Sequence, residues 1–160
     1  MILLGSDIES IEAYFSALTE EDEELRTFVL ESSPDPDHLE RWNEESNRNT
    51  YEGPALVLMM PVIEGVDNSF RHLQAIQDVA FVAIFSFDGS NADKVAKKKA
   101  AQNVCWRTLK RMRRDAKAGK FYMDGTKYRM AAMEYGQDLA VGYYCVLQIT
   151  TNTNAQLGLS

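Results

Sequence analysis

Residue types able to do chemistry are few in this chain, and their spacing is poor for it. His38 and His72 are the only histidines, and neither has cysteines or carboxylates at metal-ligand spacing around it. Cys105 and Cys145 are the only cysteines and do not form a C-x-x-C pair, so they read as small buried hydrophobes rather than redox groups. No nucleophile elbow, phosphate-binding P-loop or dinucleotide fingerprint occurs. The run "DGTK" from Asp124 invites a phosphoryl-transfer reading. Asp-Gly between extended residues is more simply a two-residue hairpin turn. The acids Glu20 to Glu24 read as the solvated face of a helix, not as a catalytic pair. The residues thus predict no enzyme, no metal and no cofactor.

Charge is the stronger signal. The net charge is −7, yet residues 1–52 carry 15 Asp and Glu against three Arg, while residues 94–120 carry 11 Lys and Arg against one acid, Asp115. Such asymmetry implies a nucleic-acid face, or two surfaces that attract each other within one chain or between copies. An acidic chain repels a polyanion, and the basic run has no clear base-reading row. Nucleic acid is therefore the disfavoured partner and self-association the favoured one. The charged face assigned to contacts between copies comprises Lys97, Lys98, Arg107, Arg111 and Arg114, with Glu21 and Glu24 opposite.

The elements that position these residues follow from periodicity. Ser6 and Glu9 form a capping box ahead of Ile8, Ile11, Phe15 and Leu18, which predicts a helical arm over 6–31, broken near Thr19. Residues 32–54 hold Pro34, Pro36, Pro54 and Trp42 in polar surroundings and read as a long loop, with Trp42 anchoring it on the core. "ALVLMMPVI" is a strand apolar on both faces, with Pro61 at an edge or a bulge. With residues 70–87 it makes a hairpin whose polar tip spans about 65–74. Ser90 or Asn91 caps a long basic helix that ends before Gly119. In the final strand Tyr143, Cys145, Leu147 and Ile149 share the buried face, and Tyr144, Val146, Gln148 and Thr150 the more polar one. Residues 153–160 form a polar tail.

The result is a single domain over 1–160 of α+β class. It has a mostly antiparallel sheet, an N-terminal helix and one long basic crossing helix, in the order α-β-β-α-β-β. Phe15, Leu58, Phe81, Phe85, Leu109, Met112, Tyr143 and Leu147 are the expected core. No apolar run reaches the ~20 residues a membrane-spanning helix needs, and the start lacks a basic signal-peptide region.

This layout resembles phage and prophage tail-terminator and tail-completion proteins over residues 6–152. The closing strand carries the resemblance through Asp138, Gly142, Tyr143, Tyr144, Val146 and Ile149. It implies a non-catalytic virion structural protein in the bacterial host cell or the virion, forming a ring that contacts itself and other tail proteins. Self-association weakened by salt and by charge reversal at Arg111 and Arg114 is the corresponding expectation. Two alternatives remain open: a nucleic-acid- or protein-binding module using the basic helix 94–118, and an enzyme with an unrecognised site.

Overall fold

The computed structural model describes residues 5, 7–32, 34–35, 53–67, 73–135 and 140–152; at 66–67, 73–74, 124–126, 135 and 152 it describes the backbone alone. His38, Trp42, His72 and the 153–160 tail lie outside these residues.

Helix α1 spans Ile8–Glu21. Asp7 caps it, its carboxylate accepting the Ser10 N–H at 3.0 Å, so the cap falls one residue beyond the expected Ser6. Ile11, Phe15 and Leu18 face the core. The expected arm over 6–31 is corrected here. The chain leaves the helix at Asp22, whose carboxylate accepts the Glu24 N–H, and continues as strand β1, Thr27–Glu31. Leu25, Phe28 and Val29 fit a helical spacing, but β-branched Thr27 and Val29 favour a pleated surface. Phe28 and Leu30 pack toward the helices, Val29 toward the opposite face.

β1 pairs with β2, Ala55–Met59, in parallel. Parallel neighbours need a crossover of a dozen residues or more, which accounts for the length of the 32–54 connection. All other pairings are antiparallel. The remaining strands are β3, Val62–Asp67; β4, Leu73–Ser86; β5, Tyr122–Tyr135; and β6, Ala140–Asn152. The six strands run β1-β2-β4-β6-β5, with β3 alongside the other half of β4. The sheet is therefore mixed and mostly antiparallel, and the domain is α+β. The order is α-β-β-β-β-α-β-β rather than α-β-β-α-β-β, because β1 is added and β2 and β3 are separate. Pro61 is the cause of the second difference. Leu58 faces Phe81 and Val62 faces Asp78, so the β2–β3 side carries an extra residue around a proline that cannot donate to the ladder.

Asp124–Gly125 does not turn the chain back. Met123 faces Ile149 and Tyr128 faces Leu147, so residues 124–127 bulge opposite Gln148 inside one long strand. A hairpin turn requires its two flanks to pair with each other. Here both flanks pair with β6, and the reversal lies between Tyr135 and Ala140, which face each other.

Helix α2, Asn91–Lys117, starts at Ser90, whose hydroxyl accepts the Asp93 N–H. It stops at Gly119, whose φ of +84° costs a glycine little. Ala101, Val104, Cys105, Leu109 and Met112 pack on the sheet face that also receives α1. Phe15, Leu58, Phe81 and Met112 are fully buried there, and Leu109, Leu147 and Phe85 nearly so. Tyr143 is only half-buried, because its hydroxyl reaches the Gln102 amide at 3.2 Å. The opposite face is also buried around Val57, Met59, Val82, Ile84 and Tyr144; among the described residues no helix contributes to that cluster. Tyr144 therefore departs from the expected polar outer face, while Gln148 remains exposed.

Candidate functional site

The charged residues gather where α1 lies beside α2. Asp115, the only acid in the basic run, is 5% exposed and sits at the centre. The Tyr14 hydroxyl donates to it at 2.7 Å, Arg111 Nε at 3.2 Å and Lys120 Nζ at 3.3 Å. Burial alone would raise its carboxyl, but the hydrogen bonds from Tyr14 and Lys120 and the two nearby cations outweigh it and hold the group below its ordinary value. The Tyr14 hydroxyl is pushed up, first by burial and then by its bond to Asp115.

The seam continues along α2. Arg111 also pairs with Glu21, and Arg107 forks onto Asp22 at 2.9 Å and Glu24 at 3.0 Å. Burial opposes ionisation of Asp22, yet the Arg107 hydrogen bond keeps its carboxyl low. Further along, Lys94 and Lys98 both reach Glu134 on β5. The charged residues expected to face another copy thus divide. Glu21, Glu24, Arg107 and Arg111 meet within one chain, Lys98 meets β5, and among the described residues no ion pair involves Lys97 or Arg114. Sequence reasoning missed Asp115 and Tyr14; the signal present was an acid four residues after Arg111 in a run of cations.

Four cations of α2 with no ion pair among the described residues lie together. Lys110, Arg113, Arg114 and Lys117 border a surface depression of about 530 Å³ with Trp106 and Leu109. Arg113 and Lys117 also border a second depression of about 290 Å³, where Phe121, Tyr122 and Met123 line the other wall.

The sheet ends in β1 and β3 on one side and in β5 on the other. β3 pairs with β4 alone among the described residues, and Val62, Ile63, Glu64 and Gly65 are all exposed, so both faces of this strand meet solvent. Among the described residues β5 pairs with β6 alone, and it exposes Lys127, Tyr128 and Arg129.

The two cysteines are poorly placed for covalent chemistry. Both cysteines are free and buried; burial pushes the Cys105 thiol up, and takes the Cys145 thiol up to about 12, so neither ionises near neutral pH. Among the described residues no cluster of three or more His, Cys, Asp or Glu could hold a metal ion, and no helix is long and apolar enough to cross a membrane. Comparison with protein-family models, curated proteins and solved structures finds no match to this chain.

Proposed function

We propose that the chain is a non-catalytic structural subunit that assembles with copies of itself into a ring, as in the phage tail-terminator and tail-completion proteins its layout resembles. The observation that carries the proposal is that β3 and β5 each have a single strand partner among the described residues. β3 is an exposed strand with apolar residues on both faces, Val62 at 44% and Ile63 at 43% exposure. Unpaired edges of this kind template pairing with another chain. The opposite edge, β5, exposes Lys127, Tyr128 and Arg129. Two different edges on one sheet meet head to tail, and head-to-tail contacts close into rings when the rotation allows.

This reading moves the contact away from the α1 acids and the facing α2 cations. Those charges neutralise each other within the chain, so reversing Arg111 acts first on the fold and salt has little leverage on the edges. The subunit would be made in the host cytoplasm and pass into the virion, meeting other tail proteins there.

Cross-linking tests the contact. Ile63→Cys and Arg129→Cys place one accessible thiol on each edge, while the native thiols are buried. A bis-maleimide long enough to tolerate a slip in register should give a ladder of oligomers with the double variant and nothing beyond dimers with either single variant. A double variant that gives only monomer and dimer would overturn edge-to-edge assembly. A second reading, binding of a polyanion by α2, is favoured by the unpaired cations around Trp106.

A further inference from the structure

The two sides of α2 differ in what their charges meet. Arg111 is neutralised by Glu21 at the end of α1, Arg107 by Asp22 and Glu24 just beyond it, and Lys94 and Lys98 by Glu134. Lys110, Arg113, Arg114 and Lys117 have no ion pair among the described residues, and Lys110, Arg113, Arg114 and Lys117 are exposed. Large aromatic rings stand exposed beside them. Trp106 is 45% exposed and is held edge-on by Tyr128, with ring centroids 5.7 Å apart. Tyr122 is 68% exposed at the far end. The two depressions share Arg113 and Lys117, so the surface reads as an aromatic seat, a cationic ridge and a second aromatic seat.

We infer that this groove binds single-stranded nucleic acid without reading its sequence. Exposed bases have flat faces that stack on rings such as Trp106 and Tyr122, and the phosphate between two bases would meet Arg113 and Lys117. A duplex keeps its base faces inside the stack and offers only phosphates to the ridge. An acidic protein segment would likewise use the cations and leave the exposed rings unused. The chain's net charge of −7 does not oppose this. Glu21, Asp22 and Glu24 are held against Arg107 and Arg111, and charges elsewhere on the surface are screened beyond about 8 Å at physiological ionic strength. The inference goes beyond ring assembly and does not depend on it.

The chain has two tryptophans, so Trp42→Phe leaves Trp106 as the only indole. In that background, short oligo-dT and oligo-rU should quench Trp106 fluorescence, the two arms separating DNA from RNA. Measurements belong in the Ile63→Lys variant, so that self-association does not enter the result. The logarithm of affinity should fall against the logarithm of salt with a slope of about −1.5 to −2, as for two or three phosphate contacts. Arg113→Glu with Lys117→Glu should weaken binding at least tenfold. Trp106→Leu, followed by anisotropy of a labelled oligomer, should weaken it about tenfold with the salt slope unchanged. Lys97→Glu, half a turn round α2 from Trp106 and bordering neither depression, should change neither, and duplex should bind no better than about 10⁻⁴ M at physiological salt. The inference is overturned by any of four results: no quenching, equal quenching by poly-glutamate, duplex binding as tight as single strand, or an unchanged affinity in the Arg113/Lys117 variant.

Discussion

Asp115 accepts hydrogen bonds from Tyr14, Arg111 and Lys120 while almost fully buried, and the shortest of these comes from α1. Tyr14→Phe removes one bond to a charged group and should cost about 1.5–3 kcal/mol of stability in urea unfolding. The pH dependence follows from the same groups. Asp115 and Asp22 are held below their ordinary value of 3.8, so their contribution is complete above that value and is lost as pH falls through it. Tyr14 is held above its ordinary 10.0, and the two buried thiols above 9.0; their contributions are complete below those values and are lost as pH rises past them. The urea midpoint should be flat from about pH 5 to pH 8 and fall on both sides. A midpoint rising between pH 9 and pH 11 would contradict the placement of Tyr14 and the cysteines. In the core, Phe85→Ala should cost about 3–5 kcal/mol, since the ring leaves a cavity between α2 and β4; a loss under 1 kcal/mol would contradict its burial.

Among the elements, β6 packs against β4 at Gly142 with no room for a side chain. A methyl group there would stand 2.7 Å from the Ala83 carbonyl oxygen and 3.2 Å from Val82 Cγ1. Gly142→Ala should therefore force the central strands apart and cost about 1–3 kcal/mol, read from the thermal or urea midpoint. An unchanged midpoint would contradict the β4–β6 register. Long periodic segments were legible in sequence: α2 begins at Ser90 and ends at Gly119 because cap chemistry is local. The strand β1 was not, because Leu25, Phe28 and Val29 satisfy both a helical and an extended spacing, and only pairing with β2 decides. Asp124–Gly125 misled for the same reason. The dipeptide permits a turn, but the partner of each flank is set by β6, which lies far along the chain. Basic α2 was legible as a helix and as a charged face, but not which of its cations are neutralised, since pairing with Glu21, Asp22, Glu24 and Glu134 is a tertiary property. It takes the fold to show which cations are left beside Trp106.

At the scale of the molecule, the sheet has two edges of different chemistry and the acid–base seam is closed within one chain. The chain is thus internally neutralised where α2 meets Glu21, Asp22 and Glu24, while β3 and β5 each have one strand partner among the described residues. Assembly should be governed by the edges and be nearly indifferent to salt, in contrast to a charge-driven contact, which weakens as salt screens it. Ile63→Lys tests this most directly. Ile63 is exposed and pairs opposite Gln77 at the start of the long hairpin, so a lysine there leaves the core untouched while placing a charge on the edge. Sedimentation velocity of the unmodified chain, over a range of protein concentration at low and high salt, should show mass growing to one closed species, and Ile63→Lys should remain monomeric throughout. A strict monomer for the unmodified chain in every condition, or equal assembly by the Ile63→Lys variant, would contradict the ring.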